Sequence, residues 1–448
     1  MPPKITIIGA GSAVFSLGLV RDLCLTPGLR GSSVCLMDID QGRLDAIHAL
    51  CRRYADEVGA DLRLEQTTDR HEALAGADFV VVTALAAGHD RLRAGWAAAE
   101  ERGYRFGGSL HVMHDEAFWI NFFQLKLFES LVEEMLATCP DAWCLLVANP
   151  VLAGITHLAA KYPEAKVVGL CHGYADVYRL ADLLGIPRDE ITYELPGVNH
   201  QLWLTHFSHK GEDAFPRLDA WIGRGAAGYA EEVPPSDHHG PKPIDLYRRF
   251  GAFPLGDSAS PGGGSWGWWY HTDAATEQRW KEDPKGWYEK HFVRGERQIA
   301  EIKAIAEDAT TKVTDAFPPE PSGETMVPLI EAIARDMPRT FIVNVINDGE
   351  YVAGIPHDFS VEIPALVSAR GIQGIRTNGL PAPLLSHIVR DRVAPVRMEL
   401  AAYELGSREL LLQLVLMDPW TRSEDQANDL LAAILALPEH GEMRAHYR

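Results

Sequence analysis

A short apolar run that stops on a pair of glycines constrains this chain most. Ile5-Thr6-Ile7-Ile8 leads into Gly9-Ala10-Gly11-Ser12, and residues 14–23 then have helical spacing. A buried strand, a tight turn and a helix start in that order aim backbone amides at a phosphate group. The third position of a G-x-G-x-x-G pattern is Val14, so the fingerprint is incomplete. Asp38 ends the next strand, residues 33–37, where a carboxylate accepts hydrogen bonds from ribose hydroxyls and repels a 2′-phosphate. Gly9, Gly11, Ser12 and Asp38 therefore point to a dinucleotide, NAD in preference to NADP.

The alternation continues. Helical spacing covers residues 41–58, a half-exposed strand 61–67, a Val-rich buried strand 77–84 and a long helix 116–137. Residues 143–148 and 167–170 are further buried strands. The expected fold is α/β: a Rossmann-like, doubly wound parallel sheet with a C-terminal mixed α+β domain. The boundaries expected are 1–195 for nucleotide binding and 196–448 for substrate, metal and subunit contacts. Residues 198–208 read as a strand of a separate antiparallel sheet. Helices are expected at 295–306, 395–404 and 423–435, with a short strand at 340–345.

With 62 acidic against 42 basic residues, the net charge of −20 disfavours a nucleic-acid partner. No apolar stretch is long enough to span a membrane. The six cysteines form no Cys-x-x-Cys pair. With no leader-like start, that suggests reduced thiols in a cytoplasm.

Cys171 ends a strand of the sheet, and His200 follows in the next unit. A thiolate and an imidazole suit a borderline metal such as Mn, Co, Fe, Ni or Zn, with positions left for a substrate's oxygens. A small buried cysteine and a hydrogen-bonded core histidine fit the same residues. Asn149-Pro150 ends another strand at the edge where such sheets bind ligands, or is simply a turn. Asn149 is assigned to cofactor and substrate, and Asn199 to substrate. His172 fits an acid, a group that orients a neighbouring ligand, or a core residue. Tyr247 and Asp257 lie on segments expected to close over the crevice. A tyrosine acts as a base only where a cation or metal lowers its pKa. Trp266, Trp268, Trp269 and Tyr270 fit either a platform for a sugar face or a subunit interface.

Further stretches make the pattern specific. They are Leu36-Met37-Asp38-Ile39-Asp40, Val168-Gly169-Leu170-Cys171-His172-Gly173, Gly197-Val198-Asn199-His200, Asn347-Asp348-Gly349, Val361-Glu362-Ile363-Pro364-Ala365 and Met417-Asp418-Pro419. With the opening turn and Ala148-Asn149-Pro150, the chain resembles glycoside hydrolase family 4, the NAD- and manganese-dependent glycosidases, over essentially its whole length. The Cys-His-Gly start and residues 11–17 resemble the α-glucuronidase branch. Tyr174 stands where that branch carries a histidine, and residues 107–116 lack the Gly-Pro-Gly-Gly of many members.

The resemblance implies NAD and Mn2+ as cofactors and a homodimer or homotetramer. Cys171 and His200 would hold the metal, and hydride would leave C3 of the sugar and later return. Tyr247 would remove the C2 proton, and the aglycone would leave by elimination before water adds. His172 occupies the place of the acid. The expected substrate is a small α-glucuronide, with α-glucosides or α-galacturonides as alternatives within the family. A 2-hydroxyacid dehydrogenase and an NAD-sensing binding module are the alternatives from other classes.

Overall fold

A computed structural model describes residues 2–261, 267–308 and 310–448. Trp266 lies outside the described residues. Six strands open the chain: β1 (Lys4–Ile8), β2 (Ser33–Met37), β3 (Arg63–Thr67), β4 (Phe79–Val82), β5 (Trp143–Leu146) and β6 (Lys166–Gly169). They pair in parallel in the order β3-β2-β1-β4-β5-β6. This is the doubly wound nucleotide-binding order, and it opens a crevice where the order reverses between β1 and β4.

Both faces of these strands are covered. Ile5, Ile7, Leu36, Val81 and Leu145 pack into one apolar cluster. Ile8, Met37, Val80, Val82 and Leu146 pack into another on the opposite face. That two-sided burial is why the strands read as continuous apolar runs instead of alternating ones. The helix Gln41–Val58 shows how sequence sets its ends. Asp40 accepts from the Arg43 amide at 3.0 Å, and Gly59 closes the helix with φ +65°.

The sheet does not end with the first domain. Further along the chain come β7 (Ile191–Glu194), β8 (Gly197–Val198), β9 (Gln201–Leu204), β10 (His206–His209) and β11 (Glu212–Asp213). They are followed by β12 (Phe253–Leu255), β13 (Arg339–Ile346), β14 (Ser360–Ser368) and β15 (Gly371–Gly374). β13 adds antiparallel to β6, and β14, β8, β9 and β12 follow it. Among the described residues this makes one sheet of twelve strands. The separate antiparallel sheet expected over 198–208 is thus corrected. β8 and β9 extend the main sheet, and only β10 joins a small sheet with β7 and β11. The consequence is functional: the ends of β5 and β6 and the turn between β8 and β9 belong to one rigid layer. No helix among the described residues is long and apolar enough to cross a membrane.

Candidate active site

The glycine turn after β1 is tight. The Gly9 and Ala10 amides both donate to the Met37 carbonyl, at 2.9 and 3.0 Å. Gly9 has φ +90°, and a Cβ there would lie 2.5 Å from the Ala84 backbone, so only glycine lets β1 and the end of β4 approach this closely. Asp38 Oδ2 accepts from the Gly11 amide at 2.7 Å, and Oδ1 accepts from the Asp40 amide at 3.0 Å. The carboxylate therefore braces the turn. Ser12 precedes the helix Ala13–Leu25 and makes no side-chain cap. Asn149 is half-buried beyond β5, next to the strand that ends before Cys171. The Asn149–Pro150 peptide is cis.

Cys171 and His200 are neighbours, close enough that each shifts the other's pKa. His200 sits in the two-residue hairpin between β8 and β9, with φ +60°. Non-glycine residues are uncommon in this left-handed region, and His200 shares it with five others among the described residues, such as Lys210 and Glu350. The His200 Nδ1 lies 3.2 Å from Oε1 of Glu116, which leaves Nε2 toward the cleft, 4.0 Å from Asp257 Oδ2. Burial opposes the charged imidazole, but Cys171 and then Glu116 outweigh it and hold His200 well above its ordinary pKa. Burial, with Glu362 beside it, pushes the Cys171 thiol up, against the pull of His200. Burial would also raise Glu116, yet His200 and Arg392 bring its carboxyl down to about 2.

Two further groups hold the hairpin. Asn199 Nδ2 donates to Glu362 Oε2 at 3.1 Å, and Arg392 Nη2 donates to the Asn199 carbonyl at 2.8 Å. Asn199 Oδ1 and Glu362 Oε1 are buried without a hydrogen-bond partner. Burial lifts the Glu362 carboxyl to about 7. Orphaned acceptors of this kind beside a thiol and an imidazole fit a site made to receive an ion and sugar hydroxyls.

Asp257 reaches the same place from the loop after β12. Its backbone neighbour Gly256, φ +55°, is pressed against Gly173, where a Cβ would lie 2.4 Å from the Gly173 carbonyl oxygen. The Gly256 amide donates to Asp176 at 3.3 Å, and Ser258 Oγ hooks onto the backbone of Leu202 at 2.7 and 2.9 Å. Asp257 Oδ1 accepts from Ser260 Oγ at 2.9 Å and lies 4.0 Å from His238 Nε2. One oxygen is thus tethered while the other faces His200.

One expected residue lies elsewhere, and another turns toward a neighbouring carboxylate. The Tyr247 hydroxyl donates to Asp219 at 3.0 Å, and its ring stacks on Phe215. Burial and Asp219 raise its pKa, the opposite of what a base needs. Tyr247 belongs to the face of the helix Pro241–Phe250 that packs on a satellite core, so its assignment as base is corrected. His172 is 58% exposed and turns its Nδ1 to Glu324 at 3.3 Å. That contact raises its pKa against the opposing effect of burial.

Glu116, Glu362 and Arg392 went unassigned from sequence. For Glu116 a signal existed: His114, Asp115 and Glu116 crowd together just before a long helix. Their ligand-type atoms lie within 4.8 Å of one another. This trio is a competing place for an ion, joined to the Cys171–His200 pair through Glu116.

Known proteins match the chain along its length. The family 4 glycosyl hydrolase model covers residues 4–185, and the model of that family's C-terminal domain covers 195–421. An α-galactosidase of Bacillus subtilis is 25% identical over 99% of this chain and 100% of its own length. An α-galacturonidase of Thermoanaerobacterium saccharolyticum is 25% identical over 86% and 85%. A 6-phospho-α-glucosidase from gut microorganisms, solved with NAD and Mn2+, has the same fold, with TM-score 0.79 and 19% identity over 98% of each chain. The dehydrogenase and binding-module alternatives are set aside: the chain belongs to the family 4 glycosyl hydrolases.

Proposed function

We propose that the protein is a cytoplasmic NAD- and manganese-dependent glycosidase acting on small α-glycosides that carry a uronate, α-glucuronides first. The observation that carries this reading is the meeting of Cys171 with His200 on the turn after β8, in one sheet with the glycine turn after β1. The Cys171-His172-Gly173 sequence supports a glucuronide. Relatives named α-galacturonidase support the C4 epimer as the second choice. Six free cysteines are consistent with a reducing compartment.

When bound, the two cofactors supply reversible hydride exchange at C3 of the sugar and polarisation of the resulting carbonyl, which makes the C2 proton acidic. The protein does the rest. Gly9, Gly11 and Ser12 cradle the pyrophosphate, and Asp38 accepts from a ribose. Cys171 and His200 are the metal ligands. Glu116, 3.2 Å from Nδ1, orients the His200 ring by charge. Asn149 and Asn199 orient sugar hydroxyls, the latter through its unpartnered Oδ1. Asp257 Oδ2 receives the C2 proton. His172, whose charged form Glu324 favours, gives a proton to the departing aglycone oxygen.

The test is turnover of 4-nitrophenyl α-glucuronide, α-galacturonide and α-glucoside with NAD, Mn2+ and a thiol reductant. Nitrophenol release without net NADH, abolished by chelator, is the expected result. Accumulation of NADH equal to substrate consumed would overturn it. Preference for the neutral glucoside would remove the uronate assignment alone.

A further inference from the structure

The crevice between β1 and β4 has two banks. On one, α1 (Ala13–Leu25) and α2 (Gln41–Val58) follow β1 and β2; on the other, α3 (Gly88–Glu100) follows β4. A later helix, α4 (Pro284–Glu307), is fastened to both. Near its start, Phe292 packs on α3. The Phe292 ring lies 4.5 Å from that of His89 and 5.9 Å from that of Trp96, and the Arg93 guanidinium covers it at 4.6 Å. Near its end, Arg53 of α2 donates to the Ile305 carbonyl at 2.8 Å and to the Asp308 carbonyl at 3.0 Å. Ile302 is buried in the apolar cluster that holds Leu17 of α1 and Ile47 of α2. The chain beyond stays on that bank, where Glu57 accepts from the amides of Val313 and Thr314, both at 2.9 Å. Phe292 and Ile305 are about 20 Å apart along the helix axis, so α4 bridges the banks.

Between its anchors α4 is not packed. Tyr288, Phe292, Gly295, Ile299 and Ile302 recur at alternating steps of four and three residues and share one face. Tyr288, Phe292 and Ile302 are buried. Ile299, on the same face, is 37% exposed, and a Cβ on Gly295 would meet nothing within 4 Å among the described residues. The inward face therefore stands off from the domain in the stretch where α4 passes from one bank to the other. Apolar side chains are also exposed at the ends of the three strands that border the crevice: Phe15 on α1, Ile39 beside Asp38 and Leu85 after β4. Apolar surface gathered on several elements marks a ligand or partner site, and the glycine turn makes the ligand a dinucleotide.

We infer that α4 is a clasp across the dinucleotide crevice, which has to let go of one bank for NAD to enter or leave; the inference rests on the NAD-dependent glycosidase reading above. Its inward face at Gly295 and Ile299 forms one wall of the site. Hydride returned to the sugar in each cycle leaves NAD in its starting form, so turnover proceeds with the clasp shut.

Stopped-flow fluorescence of NADH reads both rate constants, association on mixing with the protein and dissociation on chasing with excess NAD. Phe292→Ala frees α4 from α3, and Arg53→Ala frees it from α2. Each should raise the dissociation rate about tenfold or more and the association rate in step, leaving Kd within about threefold of the wild type. Gly295→Trp places a ring on the inward face and should weaken NADH binding about tenfold or more without lowering the melting temperature. Hydrogen exchange of the amides of residues 293–301 should slow when NAD is added. Circular dichroism checks that each variant is folded, and either anchor variant suffices if the other is not. Unchanged rates in the folded anchor variants overturn the clasp. So does a raised Kd with an unchanged association rate, the sign of a wall that does not move. Wild-type affinity in Gly295→Trp removes α4 from the site. A wild type that binds no NADH overturns the NAD reading, and the clasp with it.

Discussion

Nδ1 of His200 stands 3.2 Å from Oε1 of Glu116 across two elements 84 residues apart. This contact leaves Nε2 on the side of Asp257, as the nitrogen proposed to meet an ion. Glu116→Gln should therefore weaken Mn2+ binding about 10–100-fold, the range found when a carboxylate that orients a ligand histidine is lost. Titration of Mn2+ by electron paramagnetic resonance reads this directly. NAD affinity should stay as in the wild type.

Asp257 and Tyr247 separate cleanly. Asp257→Asn should slow the chemical step by about 10²–10⁴-fold, the scale of general-base catalysis. It should also suppress incorporation of solvent deuterium at C2 more strongly than it suppresses transient NADH formation. Tyr247→Phe, which loses only the hydrogen bond to Asp219, should leave kcat within about threefold and cost at most about 1 kcal/mol of stability. Equal damage from the two would reverse the assignment made here.

The tether on Asp257 has its own test. His238 Nδ1 lies 3.5 Å from Asp176, and Nε2 lies 4.0 Å from Asp257 Oδ1. His238→Gln keeps a donor near that oxygen, whereas His238→Ala removes it. At 4.0 Å this contact is electrostatic and not a hydrogen bond, so the account expects kcat to drop about threefold in the alanine variant and less in the glutamine variant, with KM little changed in both.

Acid stability should depend on Glu129, remote from the cleft. Its Oε1 lies 2.6 Å from His157 Nε2 and 2.8 Å from Lys161 Nζ. Burial alone would raise its carboxyl, but these contacts lower it from 4.5 to about 2. A carboxyl lowered by folding stabilises above its unfolded pKa and loses that contribution as pH falls toward the folded one. Thermal midpoints should therefore fall on acidification from about pH 4.5 toward pH 2. The fall should be smaller in Glu129→Gln, which at pH 7 should already be less stable by about 1–3 kcal/mol. Melting curves across that range decide it.

What sequence revealed of this architecture follows from how local each signal is. β1, β4, β5 and β6 were legible because strands buried on both faces are uninterrupted apolar runs. The positions of Cys171 and His200 in the fold were legible because each lies at the end of a strand. β14 escaped notice: Pro364 lies inside it, paired with Ile342, and prolines are uncommon within central strands. The extension of one sheet across both domains was also hidden, since it depends on β13 pairing with β6 through a single register at Asn344 and Gly169. Glu116, Glu362 and Arg392 reach the hairpin from three separate parts of the chain, and no spacing rule connects them. Tyr247 misled because its helix has two faces, and only packing determines which of them points at the cleft.

The central claim is that a thiolate from the end of β6 and an imidazole from the β8–β9 turn share one ion. An anomalous-difference map at the manganese edge, from crystals grown with Mn2+ and NAD under reducing conditions, tests it most directly. The account predicts a single strong peak at bonding distance, about 2.0–2.6 Å, from Cys171 Sγ and His200 Nε2. A peak held instead by His114, Asp115 and Glu116, with Cys171 left out, would contradict it.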